Sequence, residues 1–320
     1  MQPLIFFGTP EFAVPTLAAL AATEFRPALV VSQPSRPAGR GRKLTEPPVV
    51  RAARELGLEF LQVEKVREAS FLERIRALEP ALAVVVAFGQ IFPAELLAIP
   101  RLGCLNVHAS LLPRWRGAAP IQAAIRAGDS ETGVTTMVME AGLDSGPVLL
   151  ERATTIGASE SAVELSARLA EIGGELMLET LRGLERGAIV PRAQPDEGVT
   201  LAAKVKRRDG QLRWDLAAVE IERRACVSPL ARVELPIAVT SGTATVAEGS
   251  IKVLDVRVAE GHCAPWPGRN RRRRHPGRGR VDAGEGTSLA ILWGAAAGPR
   301  SGQRRGAGAR SGLRPGERVG

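Results

Sequence analysis

An amide and an imidazole lie two positions apart in the segment NVHASLLPRWRGAAP, at residues 106–120. Asn106 offers two amide N–H donors, and His108 can donate a hydrogen bond as an imidazolium or accept a proton when it is neutral. Both properties suit a carbonyl group whose oxygen becomes negatively charged when a nucleophile attacks it. The pair therefore predicts a site at which such a carbonyl reacts.

A third group should orient the histidine, and the candidate is Asp144 in the segment MEAGLDSGPVLL. A carboxylate beside an imidazole can help to accept a proton from an incoming amine. A hydrogen-bonded structural histidine and a simple turn aspartate are the alternatives. Because the other two histidines lie in an irregular C-terminal stretch and His108 stands beside Asn106 at a predicted strand end, the catalytic interpretation is favoured.

The loop after this pair has two interpretations. By composition, Ser110, Leu111, Leu112 and Pro113 form a turn that carries two core leucines, whereas their placement suggests the wall of a ligand site. The next three residues, RWR at 114–116, either form a solvated basic face or support the site. The sequence leaves these alternatives open.

Short apolar runs alternate with helical patterns through about residue 190, as buried strands that feed helices would. The elements predicted in this way include strands at 28–34 and 82–88 and helices at 47–58, 71–78 and 161–184. Such alternation predicts an α/β fold with a doubly wound parallel sheet over 1–190. In these sheets ligands bind beyond the carboxyl ends of the strands, where Gly8, Gly89 and the Asn106–His108 pair should emerge.

Several function classes are disfavoured by motifs that the chain lacks. The first turn reads GTPEF instead of G-x-G-x-x-G, and no G-x-x-x-x-G-K-[ST] occurs, which argues against a dehydrogenase or an NTPase. No apolar run approaches the roughly 20 residues of a membrane helix, so a cytoplasmic location is expected. Cys104, Cys226 and Cys263 form neither a CxxC pair nor a disulfide framework, and we interpret them as incidental thiols.

The C-terminal third has a different composition. We predict a linker at 191–206, a small β domain at 207–262 and an irregular Arg/Gly-rich tail at 263–320. The tail carries 13 arginines and 3 acidic residues, so it accounts for the net charge of +9 while the rest of the chain is nearly neutral. A basic nucleic-acid interaction of the whole protein would therefore rest on the tail alone.

A second basic segment, QPSRPAGRGRKL at 33–44, interrupts the first half. It places Arg36, Arg40, Arg42 and Lys43 among glycines and prolines, close to the predicted end of a strand. The segment is either a solvated loop or a flexible binding site for a phosphate-rich partner, whose affinity would depend on salt because bound counterions are released.

Five segments together resemble the methionyl-tRNA formyltransferase family: FFGTPEF, SQPSRPAGRGRKL, VVVAFGQIFP, GCLNVHASLLPRWRGAAPIQAAIRAGDSETGVTTM and GLDSGPVL. The resemblance covers about 1–224 in order, and SLLPRWRGAAPIQ is its most specific part. It implies a Rossmann-like formyltransferase domain followed by an OB-like β-barrel. It also implies transfer of a formyl group from 10-formyltetrahydrofolate to the amino group of initiator methionyl-tRNA.

By the same resemblance, Asn106, His108 and Asp144 are the catalytic residues, and residues 110–113 line the folate site. The basic loop with Arg40 would meet the acceptor stem of the tRNA. We expect a monomer that needs no metal and does not contact a membrane.

From about residue 225 the resemblance is lost, returns in GSIKVLDVRVAEG, and is lost again in the arginine-rich tail before GLRPGERVG resembles the family's terminus. This pattern indicates shifted reading frames, which would make the tail an artefact. Two other functions stay open: formylation of a small amine such as glycinamide ribonucleotide or an amino sugar, and non-enzymatic RNA binding through the tail.

Overall fold

The computed structural model describes residues 1–38, 41–158, 160–210 and 218–227, and beyond these the backbone of six strand segments. The helices are α1 (Val14–Ala21), α2 (Pro48–Glu55), α3 (Ala69–Ala77), α4 (Ala94–Leu97), α5 (Pro120–Ala127), α6 (Ala162–Glu185) and α7 (Ala218–Val227). The strands up to residue 210 are β1 (Leu4–Gly8), β2 (Leu29–Ser32), β3 (Arg36–Ala38), β4 (Lys43–Thr45), β5 (Phe60–Gln62), β6 (Leu82–Val86), β7 (Cys104–His108), β8 (Arg116–Gly117), β9 (Glu131–Val138), β10 (Val148–Thr155) and β11 (Leu201–Ala202).

A seven-stranded sheet forms the centre of the fold, in the order β10-β9-β7-β6-β1-β2-β5. The five strands from β7 to β5 are parallel, which confirms the predicted doubly wound sheet. The strands β9 and β10 differ from that prediction because both pair antiparallel at one edge. The sheet thus continues past the site strand β7, and β9 covers what would otherwise be an open edge.

The core occupies both faces of the sheet. On β1, Leu4 and Phe6 belong to one apolar cluster while Ile5 and Phe7 belong to another, as the two-residue period of a strand requires. The helices α1, α2, α5 and α6 supply side chains to the first cluster, and α3 and α4 supply the second. Helices therefore cover both faces, which explains why β1 and β6 are apolar at every position.

The long helix α6 packs closely on the sheet because of its glycine pair. A Cβ at Gly173 would lie 2.8 Å from the Val107 side chain, and one at Gly174 would lie 3.2 Å from the Pro15 backbone. The helix begins after Ser161, whose hydroxyl accepts a hydrogen bond from the Glu164 amide while the Glu164 carboxylate accepts from the Ser161 amide. This capping box satisfies amides that the helix itself leaves unpaired.

The basic segment at 33–44 was predicted as a loop, and this is corrected by the hairpin of β3 and β4, in which Arg36 pairs with Thr45. Antiparallel pairing satisfies backbone groups that a free loop would leave to water. The prediction of a strand over 82–88 was also too long, since β6 ends at Val86 and Ala87 adopts a φ of 47°.

The predicted linker at 191–206 contains β11, which pairs with the short strand β8 in the loop after β7. Beyond residue 228 the strands are β12 (Arg232–Leu235), β13 (Val239–Ser241), β14 (Ala244–Val246), β15 (Gly249–Ala259), β16 (Gly277–Asp282) and β17 (Ser288–Gly294). Four of them form a sheet in the order β12-β15-β17-β16. An OB-like barrel stays a prediction. The prediction of irregular structure throughout 263–320 is corrected at β16 and β17, which are strands, and the apolar run SLAILW in β17 suits that conformation.

Candidate functional site

The strand β7 carries the amide and the imidazole to the carboxyl end of the parallel sheet. Asn106 and His108 alternate with Leu105 and Val107, so both polar side chains lie on the face opposite the first apolar cluster. His108 is buried with 5% of its surface exposed, whereas Asn106 is partly buried. The predicted emergence of both residues at a strand end is therefore observed.

The two ring nitrogens of His108 have different surroundings. Nε2 lies 2.9 Å from the carbonyl oxygen of Trp115, and Nδ1 lies 3.7 Å from Oδ2 of Asp144. A carbonyl oxygen can only accept a hydrogen bond, so Nε2 carries a hydrogen and donates it. In the neutral ring, the lone pair is therefore on Nδ1 and faces the carboxylate.

Asp144 is held by two other segments, through one backbone amide and one glutamine side chain. Its Oδ2 accepts a hydrogen bond of 2.9 Å from the Gly117 amide, and its own carbonyl oxygen accepts one of 2.9 Å from Nε2 of Gln194. The same Gln194 amide donates to the Gly146 carbonyl at 2.8 Å. Asp144 has a φ of 50°, in the left-handed region that non-glycine residues seldom adopt, so these contacts stabilise a backbone conformation that costs energy.

The Asn106 side chain has no hydrogen-bonding partner within the part of the chain that the structure describes. Its donors are consequently available to a bound molecule, since a buried or half-buried amide gains from any acceptor that reaches it. Asn106 and His108 thus present one free amide and one ring nitrogen on the same face of β7. This arrangement can stabilise an oxygen that gains negative charge next to a group that accepts a proton.

The loop at 110–113 has the features of a turn that contributes a core leucine, which was the first of its two interpretations. Ser110 and Leu112 are buried, and Leu112 packs with Met137 and Val148 as a core residue would. The Ser110 hydroxyl donates to the Arg114 carbonyl at 2.6 Å, so neither side chain is a free ligand contact. Leu111 and Pro113 are only partly buried, and a role of the loop in folate binding stays a prediction.

The residues 114–116 support the site, which resolves the second alternative. Arg114 forms two hydrogen bonds with the Asp129 carboxylate, and Nε of Arg116 donates to Oε1 of Gln194 at 2.9 Å. The Trp115 amide donates to the Thr200 hydroxyl at 2.8 Å. The loop therefore joins His108 on one side to the segment that follows α6 on the other.

Sequence reasoning missed three groups that position the catalytic candidates: the Trp115 carbonyl, the Gly117 amide and the Gln194 side chain. The first two are backbone atoms, for which residue type gives no signal. Gln194 lies 50 residues beyond Asp144 in the chain, and a lone glutamine in a proline-containing segment resembles any solvated residue.

Replacing Gly117 with alanine is expected to lower the free energy of unfolding by roughly 3 kcal/mol. Its φ is 121°, outside the left-handed helical region, and a Cβ there would lie 2.7 Å from the Ala202 carbonyl oxygen. Urea unfolding measures the loss. Gly187→Ala is the matched control, since φ is 63° with no atom within 4 Å of the added Cβ, and it should cost about 1 kcal/mol. Equal losses would contradict the proposed clash.

Three of the four predicted tRNA-binding residues, Arg36, Arg42 and Lys43, lie on the β3–β4 hairpin, which follows the carboxyl end of β2. Arg36 pairs with Glu64 at 3.3 Å and its side chain is 61% exposed, while Arg42 and Lys43 are exposed. Arg42 has a φ of 50° at the turn. Arg40 lies outside the described residues. The three described charges, at Arg36, Arg42 and Lys43, are thus exposed to solvent, and none of these three contacts the Asn106–His108 pair or Asp144.

Within the described ranges, no group of three histidine, cysteine or acidic side chains is arranged to hold a metal. Desolvation by burial raises the pKa of Cys104 to about 12, so this thiol is not a nucleophile at neutral pH. None of the helices in the described part of the chain is both long enough and apolar enough to span a bilayer.

Comparison with known proteins decides the family. The family model described as formyl transferase matches residues 2–181. The methionyl-tRNA formyltransferase of Halorhodospira halophila is 52% identical over 259 residues, which cover 81% of this chain and 80% of that protein. The chain belongs to the methionyl-tRNA formyltransferase family. A second methionyl-tRNA formyltransferase, from Pelobacter propionicus, is 47% identical over 265 residues and is covered to 80%.

Membership in the methionyl-tRNA formyltransferase family confirms the resemblance that the five sequence segments indicated. Among solved structures, an N-formyltransferase from Helicobacter canadensis, in complex with folinic acid and dTDP-3-aminofucose, superimposes with a TM-score of 0.63. It covers 92% of this chain at 14% sequence identity, which shows a shared formyltransferase fold and no more.

Proposed function

We propose that this protein transfers the formyl group of 10-formyltetrahydrofolate to the free amino group of initiator methionyl-tRNA. One observation carries the chemistry: Nδ1 of His108 faces Oδ2 of Asp144 at 3.7 Å, on the same strand face as the free Asn106 amide. Membership in the family supplies the substrates. The folate derivative is a second substrate that enters and leaves in each turnover.

In the proposed reaction, the neutral methionyl amine attacks the formyl carbon, and a new C–N bond forms while the carbonyl oxygen becomes negative. Asn106 donates a hydrogen bond to this oxygen. With Nε2 bound to the Trp115 carbonyl, Nδ1 is the atom of His108 that can accept a proton or, once protonated, donate to the oxygen. The folate nitrogen then leaves with the bonding electrons and takes up a proton, which restores a carbonyl on the methionyl nitrogen.

Asp144 is proposed to stabilise the imidazolium and to share the proton released by the amine. The 3.7 Å separation exceeds a normal hydrogen bond, so Nδ1 and Oδ2 are close but not hydrogen-bonded in the free protein. Catalytic hydrogen bonds are often long in free enzymes and shorten when substrates bind. We also propose that residues 110–113 border the folate, with Leu111 and Pro113 as the partly accessible members.

The direct test supplies the purified chain with 10-formyltetrahydrofolate and initiator methionyl-tRNA and measures formylmethionyl-tRNA. Parallel reactions offer glycinamide ribonucleotide or an amino sugar nucleotide as the amine. Formylation of methionyl-tRNA alone would support the proposal. Preferred formylation of a small amine would make that amine the acceptor instead of methionyl-tRNA. If no amine were formylated, the assignment of formyltransferase activity would be wrong.

The charges of the hairpin are expected to contribute to the KM for methionyl-tRNA. Replacing both Arg42 and Lys43 with alanine should raise this KM about tenfold at moderate salt, because each lost phosphate contact removes counterion release. The slope of log KM against log salt should fall by about 0.9 per lost contact. Arg76→Ala is the matched control, since this exposed arginine lies in the last turn of α3, which leads into the start of β6 and not to the carboxyl ends of the strands. An unchanged KM in the hairpin variant would remove the hairpin from the tRNA site.

A further inference from the structure

A second carboxylate, Asp129, lies behind the site and contacts neither Asn106 nor Asp144. It follows α5 in the chain, just after the left-handed residue Gly128 that ends the helix. Its side chain is 16% exposed. The proposed reaction assigns it no role, although it is well buried for a carboxylate.

The Asp129 carboxylate accepts three hydrogen bonds from two adjacent residues of the loop. Arg114 donates from Nε at 2.9 Å and from a terminal nitrogen at 2.6 Å, and the Trp115 indole N–H donates at 2.7 Å. The Arg114 guanidinium also lies over the Trp115 ring, 4.4 Å from its centre. One anion thus fixes both side chains at once, and the paired geometry of the guanidinium adds directional restraint.

Asp129 stays ionised in this setting. Burial disfavours the charged carboxylate, but the hydrogen bonds from Arg114 and Trp115 outweigh burial and lower its pKa below the usual value. A lowered pKa in the folded state means that the stabilisation is present above the unfolded-state pKa and is lost as the pH falls below it. At neutral pH the carboxylate is therefore a permanent acceptor.

Trp115 needs such support because its backbone is in an unfavourable region. Its φ is 63°, which costs an aromatic residue roughly 1–2 kcal/mol. The same residue supplies the carbonyl oxygen that accepts from Nε2 of His108 at 2.9 Å. A rotation of the Trp115 peptide would withdraw this acceptor, and Nε2 would lose the partner that keeps the hydrogen there.

We propose that Asp129 is a positioning residue that holds His108 in one tautomer. It fixes Trp115 in its left-handed conformation, and the Trp115 carbonyl then keeps the hydrogen on Nε2 and leaves the Nδ1 lone pair toward Asp144. The inference rests on the proposed function for its kinetic part, while the tautomer can be measured without any substrate. Asp129 acts through Trp115 and touches no reacting atom.

The chain offers a matched control for this proposal. Glu160 has a side chain that is 15% exposed, and its carboxylate also accepts three hydrogen bonds, two from Arg168 at 2.8 and 3.1 Å and one from the Gly157 amide at 3.0 Å. Its pKa is lowered in the same way, since the hydrogen bonds from Arg168 outweigh burial. Glu160 has no contact with the loop at 110–117 among the described residues.

The experiment compares Asp129→Asn with Glu160→Gln in the full chain. Both variants should lose similar stability in thermal unfolding. Only Asp129→Asn should lower kcat for methionyl-tRNA, by roughly tenfold to 100-fold, with a KM change below about twofold. Asp129→Glu keeps the charge and should recover part of the loss. A kcat within about twofold of the unsubstituted protein, or an equal fall in both variants, would overturn the proposal.

Long-range ¹H–¹⁵N correlation of the imidazole rings supplies the readout that a merely structural role would not move. The His108 signals are assigned by their loss in His108→Ala, which is practical because the chain has three histidines. We expect a protonated Nε2 and a free Nδ1 in the unsubstituted protein, and a tautomer mixture in Asp129→Asn. Trp115→Phe, which keeps the ring and removes the indole donor, should shift the signals in the same direction. Unchanged His108 signals in both variants would refute the proposal that Asp129 holds the tautomer, even if activity fell.

Discussion

Replacing His108 with alanine is expected to lower kcat for formylation of methionyl-tRNA by about 10²–10⁴. The substitution removes the ring nitrogen Nδ1, which faces Oδ2 of Asp144 at 3.7 Å. Without it, the negative oxygen keeps the Asn106 donor but loses a cationic partner, and the amine proton has no acceptor apart from Asp144. Single-turnover measurements with saturating folate substrate report the chemical step directly.

A matched truncation on the same strand separates catalysis from folding. Cys104→Ala removes a buried side chain from the same face of β7, four residues before His108. Both variants should be destabilised by a comparable small amount, whereas only His108→Ala should lose activity. If His108→Ala kept more than a tenth of kcat, the histidine would be structural and the mechanism would need another proton acceptor.

Asp144→Asn is expected to lower kcat by about 10²–10³ while the fold is kept. The amide oxygen of asparagine can still accept from the Gly117 N–H, so the position of the loop is preserved. The negative charge that stabilises an imidazolium is lost, and with it the second acceptor for the amine proton. The KM for methionyl-tRNA should change little, because the contact matters mainly when charge develops.

The control for Asp144→Asn is Glu140→Gln, which makes the same change of charge in the same loop at an exposed side chain. It should leave kcat within about twofold of the unsubstituted protein. The double variant of His108→Ala and Asp144→Asn should be little slower than His108→Ala alone, because the two residues act as a unit. Fully additive losses would show that the aspartate works independently of the ring.

Much of the fold could be predicted because strands that are buried on both faces of a sheet leave continuous apolar runs in the sequence. The apolar runs at β1 and β6 are typical of interior strands of a covered sheet, and the period of α6 extends over 24 residues. The antiparallel direction of β9 and β10 could not be predicted, because it depends on which edge of the sheet the chain reaches after α5. The β3–β4 hairpin was missed because its prolines, glycines and arginines indicate a loop when read locally.

The candidate site was also predictable only in part. Asn106 and His108 stand out because they lie together at a predicted strand end, whereas Asp144 alone would be interpreted as a turn residue and is favoured as a catalytic residue through the resemblance to the family. The geometry that relates them depends on the peptide carbonyl of Trp115 and the peptide amide of Gly117, and every residue type has these groups. The role of Gln194 could not be predicted for another reason. The two carbonyl oxygens that accept from its side chain, those of Asp144 and Gly146, come together only after the chain has folded.

The pairing of β11 with β8 has a practical consequence for how this protein can be divided. Thr200 and Gln194 belong to a segment that the sequence assigns to a connection between domains, yet they anchor Trp115 and the Asp144 loop. Ending a recombinant fragment at residue 190 would therefore remove supports of the reaction centre along with the connection. A fragment that ends after residue 206 retains them, and its chemistry on a small methionyl ester would show how much of the enzyme is independent of the C-terminal region.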